Sequence, residues 1–228
     1  MSQKQPIIIW FRQDLRLTDN AALYHACQTD APVILVYIHD PLLAQEWTIG
    51  AAGQWWLHHS LSSLAKDLKP YNTKLILRKG PTHDVLDKLI KETHAQSLYF
   101  SRHYEPFQAE LENKINDQYK DTLTVKRFKN NLLVEPETVL NKNMEPFKVF
   151  TPFYKKAMET LQVADPLPAP DQIYSFDKTL QSDHLEEWSL LPDEALWGED
   201  FKKNWVPGER GAQINLDAFT ICLLYTSP

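Results

Sequence analysis

The chain has 228 residues, 43% of them apolar, enough to bury one sizeable core and leave an extension. Its 30 acidic and 24 basic side chains set a net charge of −6, which argues against a nucleic-acid binder acting by itself, because such binding rests on neutralising phosphates. Two cysteines, Cys27 and Cys222, exclude a disulfide framework, and no amino-terminal apolar segment resembles a signal peptide or membrane span, so a reducing cytoplasm is the expected setting.

Ile7 to Phe11 (IIIWF) is β-branched and then aromatic, the pattern of a strand buried on both faces. Arg12, Asp14 and Arg16 follow at once, and Asp19 is the expected N-cap of a helix starting near Asn20. These charges therefore sit at the carboxyl end of the first strand, the edge where open α/β sheets bind ligands. Taken singly, the arginines fit a loop network equally well, satisfying carbonyls and pairing with Asp14 and Asp19. Taken together they exceed what fold stability requires.

Further strands are expected at Pro32 to His39, Lys74 to Arg78, Ser97 to Ser101 and Thr122 to Phe128. Between them the spacing predicts a helix over Gly50 to Leu68, with Trp56, Leu57, Leu61, Leu64 and Leu68 as its apolar face. Two more helices follow, Thr82 to Thr93 on Val85, Leu86, Leu89 and Ile90, and Pro106 to Gln118. This alternation predicts an α/β domain, a five-stranded parallel doubly wound sheet covered by helices on both faces, over residues 6–134. Residues 135–205 read as a proline-punctuated connector, mostly irregular or helical, packed at intervals, with a short helix from Thr151 to Leu161 and an acidic stretch interrupted by Trp188 and Trp197.

Other candidate sites weaken on inspection. Adjacent His58 and His59 on a helix point about 100° apart and cannot easily share a metal, so no metal site is expected. Trp55 and Trp56 suit packing better than an electron relay. Lys126, Arg127 and Lys129 suit a solvated strand end. The lone glycines form no phosphate-cradling loop, which counts against a nucleotide-binding α/β enzyme.

The segment WFRQDLRLTDN resembles the opening motif of the DNA photolyase and cryptochrome family. WTIGAAGQWWLHHSLSSL (47–64) and EPFKVFTPFYKKA (145–157) resemble two further family segments, and VPGERGA (206–212) resembles the start of its helical flavin-binding domain. Within the family the likeness is to a bacterial cyclobutane-pyrimidine-dimer photolyase, and it ties residues 6 to 218 to it. It implies a parent enzyme in which flavin adenine dinucleotide (FAD) in the helical domain splits dimers in damaged DNA under blue light. It also implies that residues 206–221 are only the start of that domain, and that this portion alone is monomeric and catalytically silent, with no catalytic residue of its own. Residues 222–228 break the expected helix and read as a non-native tail.

The sheet domain is where the resemblance places a second, light-harvesting chromophore, held by Arg12, Tyr37, His39, Asp40, Gly50, Gln54, His103 and Glu105, with the connector near Lys148 closing one side. Deazaflavin-type members resemble having arginine at Gln54 and aspartate at His103. Folate-type members resemble having Asn-Glu at Phe107 and Gln108, while Glu105 is kept. Folate, flavin and deazaflavin all stay open on this pattern, with deazaflavin the least expected, and so does the absence of any second chromophore. A cryptochrome-like photoreceptor and a stand-alone chromophore or nucleotide-binding domain remain the alternatives.

Overall fold

The computed structural model describes residues 4–192 and 196–224. Five strands, β1 (Ile7–Phe11), β2 (Val33–His39), β3 (Leu75–Lys79), β4 (Ser97–Ser101) and β5 (Thr124–Phe128), pair in parallel in the order β3-β2-β1-β4-β5. The chain moves outward from β1 to β3 and then returns past β1 to β4. Because parallel crossovers keep one hand, that reversal sends the helices to opposite faces. Helices α1 (Ala21–Cys27) and α2 (Ala51–Asp67) cover one face, and α3 (Thr82–Thr93) and α4 (Pro106–Tyr119) cover the other.

Side-chain alternation along the central strands divides the core accordingly. Ile7, Ile9, Phe11, Val33 and Leu35 pack with Leu61, Leu64 and Leu68 beneath α2. Ile8, Trp10, Ile34, Val36 and Ile38 pack with Leu86, Leu89, Leu111 and Ile115 beneath α3 and α4. Every residue of β1 is buried, as its composition predicts.

Four details differ from the sequence reading. The cap of α1 is Asn20, whose side chain accepts from the Leu23 N–H at 3.0 Å, while Asp19 takes a left-handed φ of 52°. Trp55, not Trp56, is the tryptophan α2 buries: Trp55 packs edge-on to His59 and Phe201, and Trp56 stays 39% exposed. The helix predicted from Thr151 is α5 (Phe150–Thr160), which buries none of its residues. Finally, after α6 (Leu196–Asn204), α7 (Glu209–Leu224) runs straight through Cys222, so the predicted break there is not observed; residues 225–228 lie outside the described residues.

The connector is packed as expected, through Ile173, Leu185, Trp188 and Leu190. It also shields the β3 edge, where Asp183 N–H donates to the Leu77 carbonyl at 2.8 Å. At the other edge β5 presents Lys126 and Arg127, charges that discourage strand addition. Among the described residues no helix is long and apolar enough to cross a membrane.

Candidate functional site

The carboxyl ends of β1, β2 and β4 open into a cleft of about 1440 Å³ at the point where strand order reverses. Aromatic rings contribute to its walls, with Trp10, Tyr37, Trp47, Trp56 and Phe107 among the lining residues. Seven of the eight residues anticipated for the site line it: Arg12, Tyr37, His39, Asp40, Gln54, His103 and Glu105. Gly50, the N-cap of α2, does not. The connector reaches the cleft at Pro166, not at Lys148, and the far wall is supplied by Ala212, Gln213 and Leu216 of α7, which local sequence patterns do not signal.

Lining the cleft is not the same as being available to a ligand. Arg12 is 6% exposed and fully engaged: its guanidinium donates to Glu112, to Gln108 and, at 3.1 Å, to the Ser101 carbonyl, and it lies 4.6 Å above the Trp10 ring. Burial lowers its pKa, opposed chiefly by Glu112. Asp14 accepts the Arg12 backbone N–H at 2.9 Å and the Asn20 amide at 3.2 Å. Asp40 takes the Thr82 backbone N–H at 2.7 Å and its hydroxyl at 3.0 Å, capping α3 from the end of β2. The opening motif's charges thus have partners inside the fold. Arg12 pairs with Glu112, 100 residues away, rather than with Asp14.

The same loop is a hub. Both carboxylate oxygens of Glu209 accept from it, from Leu17 N–H at 2.7 Å and Thr18 N–H at 2.9 Å. Asp19 exchanges two hydrogen bonds with Leu167, its N–H donating at 2.7 Å and its carboxylate accepting at 3.2 Å. Arg16 ties the loop to Asn130. Gly208 precedes α7 with φ of 103°, where a Cβ would lie 2.3 Å from the Ser63 hydroxyl, so only glycine lets α7 start this close to α2. VPGERGA therefore fastens α7 against the cleft.

His103 behaves differently from Arg12. It is 2% exposed, and among the described residues neither ring nitrogen has a hydrogen-bond partner; Glu105 lies 3.7 Å from Nδ1. Burial, and then the neighbouring Arg12 charge, hold the imidazole below its ordinary pKa, so it is neutral near pH 7. His39 is likewise lowered, by burial first and then by Lys79, and stacks on Trp188 with centroids 5.1 Å apart. Tyr37 is raised by burial. Elsewhere, the His58 and His59 rings stand at 84° to each other, and no group of three or more possible metal ligands occurs among the described residues.

A doubly wound parallel sheet carrying a wide cleft at its switch point defines an α/β domain of the kind that binds ligands at its strand ends. Sequence comparison places the chain further. The DNA photolyase family profile matches residues 7–171, and the chain belongs to that family. It is 36% identical over 215 residues to a deoxyribodipyrimidine photo-lyase of Agrobacterium fabrum, covering 94% of this chain and 44% of the relative. Cryptochrome-1 of Arabidopsis thaliana is 30% identical over 210 residues, covering 89% of this chain and 30% of that protein. The crystal structure of a bacterial class III photolyase from Agrobacterium tumefaciens superposes with a TM-score of 0.88 at 35% identity, over 96% of this chain and 45% of that one. The chain thus matches an N-terminal portion of photolyases and spans less than half the length of these relatives.

Proposed function

We propose that this chain is the light-harvesting portion of a blue-light DNA photolyase that repairs cyclobutane pyrimidine dimers in the cytoplasm as a monomer. The observation that carries the reading is the cleft itself, wide enough for a fused-ring chromophore and floored by His103, whose buried nitrogens lack partners. A polar group left bare inside a protein costs about 1 to 3 kcal/mol, which a ligand hydrogen bond would recover. A bound chromophore would supply light absorption. The protein's part is to wall it from water with Trp47, Trp56 and Phe107 and to orient it with His103 and Glu105.

The family's second group, FAD, does not fit the residues described here. The helical segment available for it is α7, whose Ile214, Leu216, Phe219 and Ile221 are each more than half exposed, so no walls surround a flavin there. Dimer repair, and contact with damaged DNA, are therefore assigned to the longer parent protein, and the 228-residue chain alone is proposed to be silent in repair. A cryptochrome-like photoreceptor is the second reading, supported by the 30% identity to Cryptochrome-1.

The test is reconstitution of the purified chain with methenyltetrahydrofolate, riboflavin or an 8-hydroxy-deazaflavin, read by absorption. Folate or flavin is expected in preference to deazaflavin, because His103 stands where a deazaflavin site would use a carboxylate. A stoichiometric deazaflavin band that survives His103→Ala would refute both the preference and the role given to His103. Illuminating the chain with a dimer-containing oligonucleotide tests the remainder, since turnover above the dark control would overturn its proposed silence.

A further inference from the structure

His58 and His59 lie on α2 beside the place where α6 packs against it. The Phe201 ring of α6 meets Trp55 edge-on with centroids 5.4 Å apart, and a Cβ at Gly198 would lie 3.5 Å from the Trp55 indole nitrogen. Trp205, directly after α6, packs on Trp56, which lines the cleft. One turn along α2, the His59 ring stands 4.4 Å from that of Trp55 and 5.3 Å from that of His58. His59 buries Nε2 and His58 buries Nδ1, and among the described residues neither atom has a hydrogen-bond partner. The charges around the pair are uneven. His59 faces His58 and Lys66 of its own helix and Lys202 of α6, with no carboxylate among them. Lys202 is itself paired with Glu199 at 2.7 Å, where both side chains are more than half exposed and the pair is weak. His58 faces Glu186 of the short turn Leu185–Trp188, and Glu209 of α7 faces Asp67, further along α2.

We propose that His59 is a proton-operated latch between α2 and α6: neutral, it lets α6 close over Trp55, and protonated, it drives α6 off α2, carrying Trp205 away from Trp56 and loosening that wall of the cleft. The inference concerns the fold alone and holds whatever the cleft binds. Its physical basis is solvation. An imidazolium Nε2–H sealed beside Trp55 is a charged donor without an acceptor, whereas the same group in water is fully hydrated. Attraction to the Trp55 ring opposes release but supplies no acceptor. His58 has Glu186 to offset its charge, so the latch is assigned to His59. Burial first, and then His58 and the two lysines, hold the His59 imidazole below its ordinary pKa while α6 is docked. Once α6 lifts, the ring returns to about 6.5. Docking is therefore undisturbed above that pH, and below it weakens by up to about tenfold per pH unit until the lowered docked value is reached.

Hydrogen exchange of the full 228-residue chain, followed by mass spectrometry and corrected for the intrinsic pH dependence of exchange, reads the latch. Between about pH 7.5 and 5.5 the amides of α6 are expected to lose protection about tenfold, while β1, β2 and β4 keep theirs. His59→Phe keeps a ring against Trp55 and cannot be charged, so it should hold α6 closed at the lower pH. Lys202→Glu, at an exposed position, should reduce the loss by giving the imidazolium a carboxylate partner, and it serves as the test if the His59 variant misfolds. Unchanged α6 protection over this range, or an equal loss in the parent and the variants, would overturn the proposal. A loss shared in full by the strands would overturn it too, since it marks general unfolding. Protection restored by His58→Gln and not by His59→Phe would refute the assignment to His59.

Discussion

The sheet and the carboxyl-terminal helices treat their apolar side chains in opposite ways. From Ile7 to Phe128 nearly every large aliphatic residue of the central strands is closed over by helices on both faces. On α5, by contrast, Phe150 is 71% exposed, with Phe153, Tyr154 and Met158 beside it, and the outer face of α7 is similarly open. Stability in the first region comes from burial, at about 25 cal/mol per Å² of apolar surface. The apolar residues of the second contribute little to this fold, and they are free to be judged by what they touch in the longer protein.

That contrast makes a graded set of predictions. Ile8→Asp or Leu35→Asp should abolish folding, since each side chain is at most 1% exposed and an unpaired buried charge costs several kcal/mol, comparable to a domain's total of about 5 to 15 kcal/mol. Circular dichroism and thermal melting check this, and a variant melting within a few degrees of the parent would break the comparison. Glu112→Leu should cost about 3 to 5 kcal/mol in urea unfolding, because it strands the Arg12 guanidinium without its buried partner.

A smaller effect is expected from pH. His103 and His39 have pKa values lowered in the folded chain, so the unfolded state binds more protons as pH falls. Their contribution to stability is complete above the unfolded value of about 6.5 and is lost below it, toward the lowered folded values. The melting temperature should therefore drop between pH 7 and 5, and His103→Gln should flatten the drop. At the bottom of the scale, Phe150→Ser should change stability by no more than about 0.5 kcal/mol, as surface substitutions do. A loss of several kcal/mol there would show that α5 is packed in solution.

Much of this was legible in residue order because it is local. The bounds of β1, α3 and β4 follow from apolar runs and their punctuation. The α1 cap was misplaced by one residue because Asp19 and Asn20 are both good caps, and only the left-handed turn at Asp19 decides between them. The buried face of α2 follows the sequence reading at Leu57, Leu61, Leu64 and Leu68 and departs from it only at Trp55 and Trp56, which are chemically alike, while Phe201, the neighbour that covers Trp55, comes some 150 residues later. The cleft's position followed from strand alternation and topology. Its chemistry did not: Arg12 and His103 look equally functional as letters, yet the Arg12 guanidinium is engaged by Glu112, 100 residues away, while the His103 ring is left bare.

The Glu209 clamp also carries a consequence for timing. It closes on Leu17 across 192 residues, so the loop at the cleft's rim lacks this fastening until Glu209 has been synthesised. At about 5 to 20 residues per second on the ribosome, that interval is roughly 10 to 40 s. The strands can pair within it, because their crossovers are short by comparison, so the nascent chain should hold a finished sheet beneath an unfastened rim. Stalled nascent chains ending before Glu209 are then expected to be cut by protease between Gln13 and Asp19 while β1 to β4 resist, and chains extended past α7 should lose that cleavage.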